Sequence, residues 1–522
     1  MAEIDQLCFF CFSPKSSRCD DCGLVFSCTL HLPLHSYNAS CYPWRVQRQD
    51  GVGRYLVATR DIQPKELILR DKPFGLSPVQ DSEPVCLQCF RLLAEKEFFL
   101  CKCGFPMCNE ECSLGERHII ECNIYTSAKV KMATSLEYQV IMPIRMISQL
   151  SNDKLTENRF DTLMDHLQQR ILEPKNWKAI QNQVISPIRE KLKMTEWSED
   201  LIQRCVGVVR TNGSLIQPYS GEGEPSATQP GLGSARGIFL SMATMSHACI
   251  PSCNTLNNPD FSLSVKSMRF IKAGEELTIS YCKLFSGRLE RKNYCEENWF
   301  FTCTCSRCKD RTDLGTNFDT HLCRTCGGSV LPLDLENNCP WRCENCLQIT
   351  EASHILEIEA KLRKRLNQIE ESDFTISCYE EFLKECSILL HPGHNIVMQA
   401  KCKLLMLYDR TSVRRDLERK CELGEELLTL LETILPGYTD IRGRILYEIT
   451  APLFLLLQLD LESGLTSLER FSELLVGLVS RVEECIRCLE GEETGTYGEY
   501  LEKKALLVLH NIKEMVQFSK YL

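Results

Sequence analysis

The chain has no long hydrophobic run. Its most apolar stretch, APLFLLLQLDL from Ala451, is interrupted by Asp460 and Glu462 and falls short of the ~20 residues that a membrane helix needs. The N-terminus, MAEIDQL, lacks the basic start of a secretory signal peptide. We therefore expect a soluble intracellular protein of the cytoplasm, the nucleus or both, with no membrane partner.

The chain also lacks a concentrated block of charge. The formal net charge of −10 is spread through mixed sequence, and no Lys/Arg cluster offers a stripe for tracking phosphates. Direct binding to nucleic acid is therefore not favoured. The 522 residues exceed what one hydrophobic core usually supports, so we expect two or more domains.

Cysteine is abundant, with 32 residues, most of them before residue 350. In a long chain without a secretion signal, cysteines grouped as CxxC and CxC pairs indicate metal binding rather than disulfides. The metal we expect is Zn²⁺, which takes four thiolate or imidazole ligands. The cysteines also divide the chain into a cysteine-rich front and a different C-terminal part.

The clearest cysteine group is CLQCFRLLAEKEFFLCKCGFPMCNEECSLGERHIIEC. Short-spaced pairs supply two ligands at a time, so eight candidates predict two tetrahedral zinc sites; a set of buried free thiols is the alternative. The candidates are Cys86, Cys89, Cys101, Cys103, Cys108, Cys112, His118 and Cys122.

Three further groups repeat this chemistry. Cys323, Cys326, Cys343 and Cys346 form two CxxC knuckles with zinc-ribbon spacing. In CTCSRC, three cysteines leave a zinc one ligand short; they are Cys303, Cys305 and Cys308. The extreme N-terminus offers Cys8, Cys11, Cys19, Cys22, Cys28, His31, His35 and Cys41.

The order of ligands in the clearest group resembles the MYND zinc finger. That resemblance implies one zinc on Cys86, Cys89, Cys108 and Cys112, and another on Cys101, Cys103, His118 and Cys122. The N-terminal group looks like a second, degenerate MYND-type finger, in which His31 is either a ligand or a surface histidine. With all groups filled, we expect about five to six zinc ions per chain.

A second resemblance supplies the missing ligand of CTCSRC. The segment MSHACIPSCN is similar to the NHSCxPN motif of SET-domain lysine methyltransferases, and GEELTISY followed by FFTCTCSRC resembles that family's ELxxxY and post-SET motifs. In the family, the cysteine of the first motif completes the post-SET zinc. Here that residue is Cys249.

Upstream, GVGRYLVATRDI resembles the opening of a SET domain, and a SET domain split by a MYND finger resembles the SMYD family, most of all its arthropod-type SmydA branch. This implies an α+β multidomain fold with a β-rich SET core, extra zinc modules and a helical C-terminal domain. The implied units are residues 1–42 (MYND-like finger), 43–85 (first SET part), 86–122 (MYND finger), 123–230 (helical insert), 231–310 (SET core and post-SET), 320–349 (zinc ribbon) and 350–522 (helical domain).

The resemblance implies methyl transfer from S-adenosylmethionine to a lysine side chain of a protein substrate. That reaction needs a neutral amine aligned with the sulfonium and shielded from water. Tyr281 is the expected catalytic residue because the family places this phenol where the lysine channel meets the cofactor. From its strand alone, Tyr281 is better explained as a packing residue, and the surrounding motifs reverse that preference. The implied cofactor-binding residues are Gly53, Arg54, Tyr55, Asn212, Ser246, His247 and Tyr281.

Several positions depart from the family motifs. Ser246 and Ser252 replace two asparagines of NHSCxPN, and a serine makes fewer hydrogen bonds than an asparagine. Tyr55 replaces a glycine of the cofactor loop, where backbone approaches the ligand. Asn212, in an Asn-Gly pair, is either the family's asparagine or an ordinary turn residue. A catalytically silent scaffold for protein interaction, for instance in transcriptional regulation, therefore remains the alternative to an enzyme.

The C-terminal part changes to long amphipathic helices such as HILEIEAKLRKRLNQIEE. Repeated helix, Pro-Gly turn and helix patterns indicate a TPR-like solenoid, and a plain helical bundle is the alternative. Both arrangements allow this domain, like the MYND fingers, to dock protein partners.

Overall fold

The computed structural model describes most of the chain. The described residues are 16–18, 26–29, 43–49, 53–80, 82–93, 98–131, 138–150, 154–216, 233–258, 260–336, 338–371, 375–408, 412–490 and 497–519. Within these ranges, no helix combines the length and the apolar character needed to cross a membrane.

The strands are short and lie in the first two thirds of the chain. They are β1 (Ser16–Arg18), β2 (Phe26–Cys28), β3 (Trp44–Gln49), β4 (Gly53–Ala58), β5 (Leu67–Asp71), β6 (Gly75–Pro78), β7 (Phe99–Leu100), β8 (Pro106–Met107), β9 (Gly213–Ile216), β10 (Ala235–Ile238), β11 (Ser246–His247), β12 (Cys253–Asn257), β13 (Leu263–Ser267), β14 (Glu276–Ile279), β15 (His321–Leu322), β16 (Ser329–Pro332), β17 (Trp341–Cys343) and β18 (Ile349–Thr350).

Most of the helices lie in the insert and in the C-terminal third. They are α1 (Glu110–Ser113), α2 (Ile119–Ser127), α3 (Tyr138–Leu150), α4 (Lys154–Asp161), α5 (Leu167–Ile171), α6 (Pro174–Ile180), α7 (Glu199–Asn212), α8 (Arg288–Trp299), α9 (Ser306–Lys309), α10 (Ala352–Glu371), α11 (Ile376–Cys386), α12 (Asn395–Leu407), α13 (Arg414–Ile434), α14 (Asp440–Glu462), α15 (Leu468–Leu489) and α16 (Tyr497–Ser519). Two π-helical segments follow α6, at Gln181–Ile185 and Pro187–Lys191.

Three small sheets form the predicted SET core. Their strand orders are β6-β10-β9, β11-β14-β4-β3 and β12-β13-β5, so segments far apart in sequence lie side by side. Leu56, Val57 and Ala58 of β4 are all buried because this strand lies inside a sheet. One hydrophobic cluster joins the core strands, and the partly buried Tyr281 packs against it.

A second hydrophobic cluster unites the predicted MYND finger with the helical insert. Phe105 is fully buried and packs edge-on against Tyr125 of α2 and stacks with Tyr138 of α3. Helix α7 begins at a capped N-terminus, because the Ser198 hydroxyl accepts a hydrogen bond from Leu201 N. The finger therefore shares its apolar core with the insert.

The C-terminal helices stack mainly on their neighbours along the chain, as in a repeat of helical hairpins. Helix α15 shows why they pack: Leu475, Leu478, Val482 and Cys485 recur at helical spacing and are buried. A single large cluster runs through α10 to α16. Together with the sheets and the cysteine-rich clusters, this helical part confirms the predicted α+β multidomain fold.

The helical domain contacts the predicted SET core at a Pro-Gly turn. Gly437 has φ +103°, and an added Cβ would lie 2.2 Å from Met268 O, so only glycine fits this approach. The next residue, Tyr438, donates its backbone N–H to Met268 O at 2.8 Å. Lys65 Nζ also donates to Cys488 O at 2.6 Å, which ties α15 to the core.

Candidate functional site

A buried carboxylate fixes the chain just before MSHACIPSCN. Asp71 Oδ2 at the end of β5 accepts hydrogen bonds from Ser241 N at 2.6 Å and Met242 N at 3.0 Å. Its side chain is buried, and this burial raises the pKa of the Asp71 carboxyl. These two bonds cap the 3-10 turn Met242–Thr244 and so set where the motif begins.

The motif itself pairs with the strand of GEELTISY. Ser246 and His247 in β11 run parallel to Thr278 and Ile279 in β14, and Ala248 N donates to Ile279 O at 3.0 Å. This pairing places the Ser246 hydroxyl against the Glu276 carboxylate, to which it donates. The hydroxyl of Ser246, the first serine that replaces a motif asparagine, therefore already has a hydrogen-bond partner within the chain.

Ser252, the second replaced asparagine, holds the same two segments together. Ser252 N donates to Thr278 Oγ1 at 3.1 Å, and Thr278 N donates to Ser252 Oγ at 2.9 Å. The hydroxyl of Ser252 also donates to Glu276 O at 3.3 Å, and its side chain is buried. A small serine thus satisfies the buried backbone groups at this crossing.

Tyr281 lies where the motif, β14 and α8 meet. Its hydroxyl donates to Met245 O at 2.6 Å, and its backbone N–H donates to His247 Nδ1 at 3.0 Å. The ring lies 4.7 Å from Trp299 and 5.2 Å from His247, centroid to centroid. Burial raises the pKa of the Tyr281 phenol, so it stays protonated and acts as a hydrogen-bond donor.

The loop that resembles the family's GxG segment begins β4. Gly53 has φ +92°, and no atom lies within 4 Å of where its Cβ would be. Arg54 donates from Nη2 to Thr162 O at 2.6 Å. Tyr55 donates its hydroxyl to Gln47 Oε1 at 3.1 Å, across the β3-β4 pair. The replacement of a family glycine by Tyr55 therefore leaves the space beside Gly53 open.

Asn212 ends α7 and is anchored there. Its Nδ2 donates to Met164 O at 2.7 Å and to Val208 O at 3.1 Å. The structure brings Ser246, His247 and Tyr281 together around β11 and β14, with a hydrogen bond from Tyr281 N to His247 Nδ1. Within the described residues, no side-chain hydrogen bond of Asn212 or of Tyr55 reaches these three residues.

Cys249 meets the three cysteines of CTCSRC. The Cys249 Sγ lies 3.8 Å from that of Cys303 and 3.4 Å from that of Cys308, and all four sulfurs, including Cys305, lie within 4.8 Å of one another. These separations suit ligands of one tetrahedral zinc. The Asp313 carboxylate, paired with Arg291 and Arg307, braces the segment below them.

The predicted MYND ligands converge in the two interleaved sets that the resemblance implies. Cys86, Cys89, Cys108 and Cys112 form one set, and Cys101, Cys103, His118 and Cys122 form the other. His118 Nδ1 lies 3.1 Å from Glu121 Oε1, and Arg145 contacts both oxygens of that carboxylate. Such a carboxylate orients the histidine so that Nε2 faces the metal position.

The predicted ribbon ligands also converge. Cys323 and Cys346 have sulfurs 3.6 Å apart, and Cys326 and Cys343 have sulfurs 3.5 Å apart. Cys339 instead donates its thiol to Asp334 O at 2.9 Å, outside the set.

Most of the N-terminal zinc-ligand candidates lie outside the residues that the structure describes. Cys28 ends strand β2, which pairs with β1. The other seven candidates lie outside the described residues, namely Cys8, Cys11, Cys19, Cys22, His31, His35 and Cys41.

One sulfur-rich cluster has no counterpart among the predicted sites. His247, Cys282 and Cys295 place one ligand atom each within 4.8 Å of the others, and the two sulfurs are 3.7 Å apart. The two cysteines are 13 residues apart and belong to no CxxC or CxC pair, so the spacing gave no signal.

Comparison with known proteins agrees with these motifs. A family model described as "SET domain" matches residues 53–282. The SET domain-containing protein SmydA-8, isoform A, of Drosophila melanogaster is 26% identical over 435 residues, covering 78% of this chain and 88% of that protein. Histone-lysine N-methyltransferase SMYD3 of Mus musculus is 24% identical over 317 residues, covering 58% of this chain and 69% of that protein. The SET domain of LSMT bound to lysine and AdoHcy aligns over 92% of this chain with a TM-score of 0.25 and 12% identity, too weak a likeness to support an argument.

Proposed function

We propose that this chain, a SmydA-like protein of the SMYD family of SET-domain lysine methyltransferases, is itself an active enzyme that methylates lysine side chains of proteins. The observation that carries the proposal is the environment of Tyr281. A protonated phenol, held by Met245 O and flanked by Trp299 and His247, lies at the end of the strand that pairs with the SHAC segment.

The chemistry of lysine methylation suits these groups. The amine must be neutral and aligned, and water must be kept from the reacting atoms. The aromatic rings of Tyr281 and Trp299 would exclude water, and the phenolic oxygen retains a lone pair that can accept a hydrogen from the amine. Because Met245 O already accepts a hydrogen bond from the phenol, the orientation of the phenolic hydroxyl is fixed before substrate binds.

The residues present also fit the cofactor. Gly53, with its positive φ and the open space beside it, provides the close backbone approach for which glycine is used. Arg54, Asn212 and His247 would supply the polar contacts, whereas the Ser246 hydroxyl is already engaged with Glu276. S-adenosylmethionine, when bound there, supplies the electrophilic methyl group.

Zinc would hold the channel in shape rather than take part in the transfer. Cys249 and the three cysteines around it leave no open coordination position, which is typical of a structural site. Cys249 lies two residues after His247, so the metal would fix the segment that carries the cofactor contacts. Cysteines grouped as zinc ligands rather than as disulfides favour an intracellular location, which fluorescence microscopy of a tagged chain would test.

Calorimetric titration of zinc-loaded protein with S-adenosylmethionine tests the proposal. We expect saturable binding at one site per chain. The matched variant Ser246→Ala should change the affinity only modestly, because the Ser246 hydroxyl is engaged with Glu276. Absence of any binding heat with the zinc sites filled would contradict the proposal.

A silent scaffold is the second candidate, and one observation favours it. The hydroxyls of Ser246 and Tyr55 are both bonded to protein partners. Neither hydroxyl is therefore free to donate a hydrogen bond to the cofactor. A scaffold would keep its zinc and its fold but bind no cofactor. Under either function, the MYND finger and the helical domain are the surfaces that we expect to dock protein partners.

A further inference from the structure

Two thiols next to the candidate catalytic tyrosine belong to no predicted zinc set. Cys282 directly follows Tyr281, and Cys295 lies on α8, with its sulfur 3.7 Å from that of Cys282. Cys282 is half-buried and Cys295 is fully buried. The other close sulfur pairs of the described chain lie within the four predicted zinc sets.

The nearby histidine does not make this cluster a metal site. His247 Nδ1 accepts the backbone N–H of Tyr281, so a neutral ring carries its proton on Nε2. A metal ligand needs a lone pair on the nitrogen that faces the metal. Nε2 lies 3.3 Å from Cys249 Sγ and donates to that sulfur, which leaves Cys282 and Cys295 as a dithiol without a third ligand.

We propose that Cys282 and Cys295 form an oxidative modification site that a hydroperoxide such as hydrogen peroxide converts to a disulfide. The Cys282 sulfur attacks one peroxide oxygen, which gives a sulfenic acid and releases water. The Cys295 thiol then attacks the Cys282 sulfur, loses its proton and expels the hydroxyl group as a second water. Overall, two thiols are oxidised and one peroxide is reduced to two waters. Dithiothreitol reverses the change.

The disulfide would act on the tyrosine through the backbone. Closing the bond brings the sulfurs from 3.7 Å to about 2.05 Å. Cys282 is thereby drawn toward α8, which also carries Trp299 against the Tyr281 ring. The hydrogen bond from Tyr281 N to His247 Nδ1 must lengthen or bend, because Tyr281 and Cys282 are adjacent. Tyr281 and Trp299 are then displaced by a distance large enough to lower the rate of methyl transfer.

Peptide mapping of the full, zinc-loaded chain tests the modification itself. The protein is treated with one equivalent of hydrogen peroxide, its remaining thiols are alkylated, and the digest is analysed by mass spectrometry. We expect one dominant cross-link, Cys282 to Cys295, with loss of two hydrogens and unchanged zinc content. Absence of this link while zinc is retained, or links distributed over the zinc-site cysteines, would overturn the proposal.

Three variants sharpen the test. Cys282→Ser and Cys295→Ser should each abolish the cross-link and keep the full zinc content, and the first of these removes only a half-buried thiol, so it should fold. Cys402→Ser, which removes a half-buried cysteine on α12, is the matched control and should leave the cross-link intact. Loss of about one zinc in Cys282→Ser would show a metal site instead and overturn the proposal.

The effect on activity rests on the proposed methyltransferase function and is measured separately. Peroxide should lower methyl transfer by roughly tenfold to a hundredfold, and dithiothreitol should restore it. Cys282→Ser should resist peroxide while Cys402→Ser should not. A cross-link that forms without changing transfer would overturn the coupling to Tyr281. A chain that never transfers methyl groups but still forms the cross-link would contradict the proposed function and leave the modification site standing.

Discussion

The phenolic hydroxyl of Tyr281 donates to the backbone oxygen of Met245 at 2.6 Å. This bond joins the end of GEELTISY to the residue just before SHAC, so the two motifs are linked by the side chain expected to take part in transfer. The same phenol is partly buried against Trp299, and this burial raises its pKa.

Replacing Tyr281 with phenylalanine separates catalysis from folding. Loss of one hydroxyl leaves Met245 O without its donor, which should lower the free energy of unfolding by about 1–3 kcal/mol. Zinc content and cofactor affinity should persist, and methyl transfer should fall by about two orders of magnitude. Tyr294→Phe, on the exposed side of Trp299, is the control and should retain transfer. If Tyr281→Phe transferred methyl groups as well as Tyr294→Phe does, Tyr281 would not be catalytic.

Replacing Cys249 with serine tests the link between metal and pocket. The other three cysteines cannot close a tetrahedral site alone, so about one zinc should be lost. Cofactor binding and transfer should fall together, because Cys249 lies two residues after His247. Cys253→Ser, at a buried cysteine outside the four zinc sets, should retain all zinc. Metal analysis measures the zinc content, and calorimetry measures the cofactor affinity. Loss of zinc with unchanged cofactor affinity would refute the link between the metal site and the pocket.

Glu121 should control the zinc affinity of the MYND finger. Its carboxylate orients His118 and pairs with the buried Arg145, so Glu121→Gln leaves that guanidinium without its counter-charge. We expect a loss of about 3–5 kcal/mol in stability. Zinc affinity at this site should drop about 10- to 100-fold. Glu110→Gln, on the exposed side of the same finger, is the control. Competition with a chromogenic chelator measures the zinc affinity of both variants. Identical affinities in Glu121→Gln and Glu110→Gln would contradict the role of Glu121.

Gly437 should be needed for docking of the helical domain. Gly437→Ala places a methyl group 2.2 Å from Met268 O at a φ of +103°, so it should cost at least about 1–3 kcal/mol through strain alone. Gly477→Ala is the control, since its Cβ meets open space within α15, and it should stabilise the chain by up to about 1 kcal/mol. Thermal melting followed by circular dichroism compares the two, and a shift of the same sign in both would argue against the contact.

The sequence anticipates features that are written into short spacings. Pairs such as Cys86 and Cys89 lie on one turn, so their convergence in space follows from local geometry. The motif order likewise anticipated the meeting of Cys249 with CTCSRC, although this rested on family resemblance. The amphipathic spacing of HILEIEAKLRKRLNQIEE, which lies in α10, indicated a helix with one buried face in the same local way.

Contacts between distant segments could not be predicted in this way. Asp71 caps a turn 170 residues later, and nothing near Asp71 marks it as a buried acceptor. The exchange of hydrogen bonds between Ser252 and Thr278 depends on a chain crossing that neither residue encodes alone. The dithiol of Cys282 and Cys295 arises because α8 folds back on the end of β14. Each of these depends on tertiary packing rather than on local spacing.

The most direct test of the central claim is transfer of an isotopically labelled methyl group from S-adenosylmethionine to protein lysines in a cell extract. The zinc-loaded chain is compared with Tyr281→Phe, and labelled residues are identified by mass spectrometry. The account predicts labelled methyl-lysine with the unaltered chain and little with Tyr281→Phe. No labelling by a chain that holds all its zinc would contradict the account and leave the scaffold as the function.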